Sequence, residues 1–213
     1  MPNFENAITS PTAAYDEGLA FFRGQGMLNR ALLRIGADLE RNGIAYAVIG
    51  AIALNQHGYQ RFTVDIDLLM TKEGLQRFRD QLVGRGYVPA FPGATREFKT
   101  SQDNIRVEII TTGEYPGDGK PKPVVFPDPD EYSELIAGIR TIALPKLIEL
   151  KLASGMTAPD RLKDLADVQE MIKAKSLGEE FAEKLDSSVR EKFRELHQAV
   201  ARAAAVQAPQ ERP

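Results

Sequence analysis

The sequence predicts an α+β fold, because short β-prone runs alternate with helical stripes as far as Leu144 and helices alone follow. Leu28, Ala31, Leu32, Ile35 and Leu39 recur at intervals of three and four, a helical stripe that opens at Met27 and stops at Asn42-Gly43. Ala45 to Ile49 (AYAVI) and Val64 to Met70 (VDIDLLM) are apolar and β-prone, and each is followed by a helical stretch.

Taken in order, Ala51 to His57 reads as a short helix closed by Gly58. Thr71 caps a helix from Lys72 to Val83 that Gly84 and Gly86 end. Thr95 to Lys99 and Ile105 to Ile110 read as an antiparallel pair of strands joined by the polar turn Ser101 to Asn104. Prolines and glycines crowd Thr112 to Asp130, which marks an ordered loop or linker. Arg140 to Leu144 is a strand, Pro145 opens a helix through Ser154, and Pro159 opens another that pairs with it as a hairpin. Helical stretches near Gly178 to Leu185 and Ser188 to Val206 precede an ERP end expected to fray. The domain expectation is an N-terminal arm over residues 1–26, a core over 27–144, and a C-terminal helical region over 145–213 packed on that core.

Composition narrows the chemistry. The 213 residues carry 27 Lys plus Arg against 30 Asp plus Glu, a net charge of -3, so no basic field holds nucleic acid by counterion release alone. From Arg140 onward the two signs nearly balance, which leaves no basic stripe for a tRNA. No run approaches the roughly 18 apolar residues of a spanning helix, and MPNFENAITSPT lacks a signal peptide's basic start and apolar run, so the expectation is a cytoplasmic protein without a membrane partner. With no cysteine and only His57 and His197, disulfides, thiol catalysis and sulfur-imidazole zinc sites are excluded. A metal here is hard and carboxylate-bound.

In VDIDLLM the period of two places Asp65 and Asp67 on one face and Val64, Ile66 and Leu68 on the other. Two neighbouring carboxylates repel unless a cation lies between them, and the suitable cation is Mg2+ or Mn2+. The same spacing also occurs on solvated strand edges. Two further features tell against that bland reading. Upstream, Ile49-Gly50 turns into a helix whose first N–H groups, at Gly50 and Ala51, suit phosphate oxygens. Downstream, Glu108 lies alone between apolar residues in RVEII, either solvated or a third ligand. Three carboxylates on strands beside a phosphate-cradling turn are an apparatus for metal-assisted phosphoryl transfer.

These residues resemble a known superfamily. Val48-Ile49-Gly50-Ala51-Ile52-Ala53-Leu54, then His57-Gly58, Arg61, Thr63 and Asp65-Ile66-Asp67-Leu68, look like the opening signature of the nucleotidyltransferase fold: a hydrophobic residue before G-[GS], a gap, then D-x-[DE]. Glu108 matches the third acid by order and strand context. LPKLIELKLASGMTAPDRLKDLADVQEMI is similar to the lysine helix and R-x-K-D-x-x-D of AbiEii-type, toxin-antitoxin-associated nucleotidyltransferases. The resemblance covers most of residues 27 to 174. It implies a nucleotidyltransferase-like small mixed β-sheet flanked by helices, with C-terminal helices. It also implies transfer of a nucleotide from an NTP onto a hydroxyl of an RNA, protein or small-molecule acceptor, and a cognate toxin or antitoxin as candidate partner.

Two positions depart from the pattern: Ala51 stands where Gly or Ser is usual, and Glu108 where Asp is commoner. Ala51 favours the rival reading, a catalytically weak binding module that acts as antitoxin or regulator. Lys151, beside the stripe of Leu147 and Ile148, could reach a triphosphate or simply snorkel to solvent. Asp164 and Asp167, one helical turn apart near Arg161 and Lys163, orient Lys151 or the nucleotide in the functional reading. Arg61, Arg96 and Lys99 are candidates to line the cleft for phosphate. Gly-x-Gly-Lys at Gly117 to Lys120 is not a P-loop, because Pro121 follows the lysine and no helix begins there. Lys120 and Lys122 then belong to a proline-stiffened connector, and His57 caps a helix end.

Overall fold

The computed structural model describes residue 4 and residues 8–207, so the ERP end expected to fray lies outside the described residues. The chain divides into two compact units. Met1–Gln56, Gln60–Glu114 and Phe126–Ala143 form the first, and His57–Tyr59, Tyr115–Val125 and Leu144–Pro213 the second.

The first unit opens on a helix where the sequence reading expects an arm. In α1 (Pro11–Phe22) Ser10 caps the N-terminus by accepting from Ala13 N, and Pro11 sits in the first turn, where its missing N–H costs nothing. Next, α2 (Met27–Arg41) buries Leu28, Ala31, Leu32, Ile35 and Leu39, the stripe expected from the spacing. Glu17 Oε1 accepts from Met27 N at 2.6 Å, supplying a cap that Gly26 lacks.

Then come β1 (Ala47–Val48), α3 (Gly50–Gln56), β2 (Asp65–Met70), α4 (Lys72–Leu82), β3 (Tyr87–Pro89), β4 (Glu97–Thr100) and β5 (Arg106–Thr111). A short α5 (Pro129–Tyr132) and the hairpin β6 (Ser133–Ile136) and β7 (Ile139–Ile142) complete the unit. The fold is α+β with a mixed seven-stranded sheet of order β3-β4-β5-β2-β1-β7-β6. Strand β2 runs parallel to β5 and β1 parallel to β7, while the other neighbours are antiparallel. Ile66, Leu68, Val107 and Ile109 from the middle of the sheet pack with the α2 stripe and with Leu75 and Phe78 of α4 in one core.

The sequence reading missed the two edge strands. Strand β3 has three residues and ends in Pro89, which only an edge tolerates, and β6 is half exposed with no apolar alternation. The β6–β7 turn, Ala137-Gly138, has positive φ at both residues, the backbone of a tight hairpin.

The second unit is helical: α6 (Leu144–Thr157), a 3₁₀ turn (Pro159–Arg161), α7 (Leu162–Lys175), a second 3₁₀ turn (Glu179–Lys184) and α8 (Ser187–Gln207). Helices α6 and α7 meet at Gly155, where a Cβ would lie 2.6 Å from Cγ of Leu165, so only glycine permits this approach. Lys122 pins the proline-rich segment to α6 by donating to Pro116 O at 2.5 Å and Thr157 Oγ1 at 3.1 Å. Among the described residues, no helix is long and apolar enough to cross a membrane.

Candidate active site

Asp65 and Asp67 are half-buried on β2, while Ile66 and Leu68 between and after them are fully buried, as the period of two requires. The parallel register sets Asp67 opposite Glu108 and Asp65 opposite Arg106, so all four residues share one sheet face. On β4, Glu97 pairs with Glu108 and Lys99 with Arg106. Two rows therefore cross this face. One is acidic (Glu97, Glu108, Asp67) and the other begins cationic (Lys99, Arg106) and ends at Asp65. Arg106 and Glu97 are ion-paired diagonally between the rows. Arg96, expected near phosphate, is ion-paired with Glu114.

Gly50 closes the acidic row. Strand β1 is antiparallel to β2, Ile49 N donates to Asp67 O at 3.0 Å, and the next residue turns into α3. Its φ is +65°, in the left-handed region, and a Cβ there would collide with Oδ2 of Asp67. Gly50 is thus required twice, by its backbone and by the carboxylate occupying its open side. Ala51 follows it, buried in the first turn of α3.

Thr63, quoted above in the signature without a role, and Asn55, which the sequence reading passed over, tie this region together. Thr63 Oγ1 donates to Asp65 Oδ1 at 2.5 Å. Asn55 accepts from Arg61 N at 3.0 Å through Oδ1, and its Nδ2 donates to Arg61 O at 2.5 Å and Ala51 O at 2.8 Å. For Asn55 the only sequence signal was its polarity. Arg61 itself lies half-buried in the segment between α3 and β2.

Among the described residues, no group of three or more His, Cys, Asp or Glu side chains is placed to hold a metal ion. The Asp65–Asp67 pair fits the mode in which Mg2+ takes one or two carboxylates while substrate phosphates and water complete its shell. The donor set is all oxygen, as a hard cation prefers.

Lys151, Asp164 and Asp167 lie in the second unit and meet one another. Lys151 Nζ donates to Asp164 Oδ1 at 3.0 Å and to Asp167 Oδ2 at 2.7 Å, and all three residues are buried. Ser154 Oγ and Arg161 Nε both donate to Asp164 Oδ2, at 2.7 and 2.8 Å. Burial alone pushes the Asp164 carboxyl upward, but the Lys151 charge, the Ser154 hydroxyl and Arg161 outweigh it and hold its pKa below the ordinary aspartate value.

No protein-family model matches the sequence, and no curated protein matches it. Among solved structures, the chain is similar to a candidate nucleotidyltransferase from Thermotoga maritima at 19% identity, with 64% of this chain and 89% of that one covered and a TM-score of 0.47. The chain is similar in structure to nucleotidyltransferases. A second candidate nucleotidyltransferase, from H. pylori, shows 15% identity, coverage of 86% and 98%, and a TM-score of 0.45. The antibiotic-resistance factor ANT(2'')-Ia shows 16% identity, coverage of 80% and 90%, and a TM-score of 0.47. At such identities and with TM-scores under 0.5 these likenesses carry no residue roles, which are argued from this chain's own geometry.

Proposed function

We propose that the chain is a metal-dependent nucleotidyltransferase that moves a nucleoside monophosphate from an NTP to an acceptor hydroxyl in the cytoplasm. The observation that carries this reading is Gly50, whose left-handed backbone brings the turn into α3 against the Asp67 carboxylate, with Glu108 opposite in register. Asp65 and Asp67 hold the ion, Glu108 supports it from β5, and the N–H groups of Gly50 and Ala51 receive phosphate oxygens. When bound, Mg2+ or Mn2+ neutralises the phosphate oxygens and acidifies the attacking hydroxyl. The acceptor oxygen attacks the α-phosphorus, the bond to the β-phosphate oxygen breaks, pyrophosphate leaves, and the hydroxyl proton passes to solvent. The turn and the carboxylates fix the geometry of this in-line exchange.

The roles of Lys151, Asp164 and Asp167 follow from their pairing. With Nζ bonded to two aspartates, Lys151 steadies the C-terminal helices, and any part in binding the triphosphate requires it to exchange partners. A second reading, a binding module acting as antitoxin or regulator through a toxin or antitoxin partner, is favoured by Ala51 and by the lack of a three-ligand group among the described residues.

The test is incubation of the full chain with each α-labelled NTP, Mg2+ and pools of RNA, protein or aminoglycoside, beside the double variant Asp65→Ala, Asp67→Ala. Transfer by the wild type that the double variant loses establishes the enzyme and its acceptor class. If no NTP gives transfer and none raises the melting temperature with Mg2+, the catalytic reading fails and the binding module stands.

A further inference from the structure

We infer that Thr63 and Asn55 are positioning residues, forming a two-step brace that sets Asp65 relative to the Gly50 turn. The inference rests on the reading of Asp65 and Asp67 as the ion-holding pair. Residues 57–64 join α3 to β2 without regular structure, and Asp65 is the first residue of its strand, where pairing fixes the backbone but not the carboxylate. Thr63 supplies what pairing does not. A threonine in a turn ordinarily hydrogen-bonds the main chain nearby, whereas Thr63 donates to a carboxylate oxygen, a charge-assisted bond about twice as strong as a neutral one. With Oδ1 engaged, the carboxylate plane is set.

Asn55 holds the main chain two residues before Thr63. Its amide bonds both main-chain groups of Arg61, as a neighbouring strand would, while its second N–H reaches Ala51 O in the first turn of α3. Both N–H bonds and the carbonyl of the amide are thereby used, so no other side chain of this size makes the same set. The links run from Ala51 through Asn55 and Arg61 to Thr63 and Asp65, and Gly50, at the start of the same turn, meets Asp67. Groups that orient first ligands in this way typically change affinity or activity by about 10- to 100-fold when removed.

The experiment uses the full chain as wild type, Thr63→Val, Thr63→Ser, Asn55→Ala, and the Asp65→Ala, Asp67→Ala double variant. Three quantities are read: thermal melting, Mn2+ affinity from the electron paramagnetic resonance of free Mn2+, and kcat and KM for nucleotide transfer. The expected result is that Thr63→Val melts like wild type, binds Mn2+ about 10- to 100-fold more weakly, and loses kcat with little change in KM for the NTP. Thr63→Ser, which keeps the hydroxyl, restores both. Asn55→Ala weakens Mn2+ binding in the same direction. If Thr63→Val binds Mn2+ as wild type does while the double variant does not, the brace is overturned and the ion-holding pair survives. If the wild type binds no more Mn2+ than the double variant, the reading of the pair itself falls, and the brace with it.

Discussion

Gly50 shows how one residue can serve two constraints. A left-handed φ of +65° costs an L-residue about 1–2 kcal/mol, and the space a Cβ needs is already filled by Oδ2 of Asp67. Gly50→Ala is therefore expected to lower unfolding free energy by roughly 1–3 kcal/mol, read as a shift of the urea midpoint. It should also displace Asp67, so transfer activity falls further than stability does. A variant that keeps both stability and activity would show that the turn relaxes without help from glycine. Ala51 makes no such demand: the contribution to phosphate proposed for it is a backbone N–H, which every residue except proline supplies.

Between elements, the α6–α7 pairing depends on a buried charge cluster as well as on apolar contact. Lys151 on α6 meets Asp164 and Asp167 on α7, and Arg161 and Ser154 complete the partners of Asp164. Removing the lysine takes its charge away from two buried carboxylates, and breaking a buried pair from one side typically costs about 3–5 kcal/mol. Lys151→Met is thus expected to lower the melting temperature by several degrees, measured by circular dichroism without any nucleotide. A lysine serving only the triphosphate would instead leave melting unchanged and raise KM for the NTP. Calorimetry and kinetics on the same variant separate the two roles.

At the scale of the whole molecule, Asp118, Asp164 and Asp186 have carboxyls held below their ordinary pKa, and all three lie in the second unit. Burial opposes the shift at Asp164, but Lys151 and its other partners prevail, while Lys122 lowers Asp118 and the Ser188 hydroxyl lowers Asp186. A carboxyl with a depressed folded pKa stabilises the fold above its unfolded value, 3.8 here, and that contribution is lost as pH falls through the folded value. In that range the unfolded chain binds more protons than the folded one, so stability drops with pH. Urea midpoints are expected to be flat from pH 7 to about pH 5 and to fall below about pH 4. In Asp164→Asn the acid limb should be shallower, from a lower plateau. An identical limb in the variant would remove Asp164 from the account.

How much of this was legible in the sequence differs by residue. The stripe of α2, the alternation of β2 and the Thr71 cap, whose hydroxyl accepts from Gly74 N at 2.9 Å, are local patterns, and each formed as its spacing required. Helix α1 was legible too, in Ser10-Pro11, but Gly18 within it and Gly24 and Gly26 just after it argued for an arm. The edge strands β3 and β6 were not legible, because three or four residues with one exposed side carry no period to detect. Spacing alone placed Asp65 and Asp67 on one face, since the alternation of a strand is a property of the chain itself. That Glu108 stands opposite Asp67, that Asn55 clasps Arg61, and that Lys151 faces two aspartates were decided only by tertiary structure. Those relations join residues far apart along the chain or across an irregular connector, where register and packing set the distances and no local periodicity reports them.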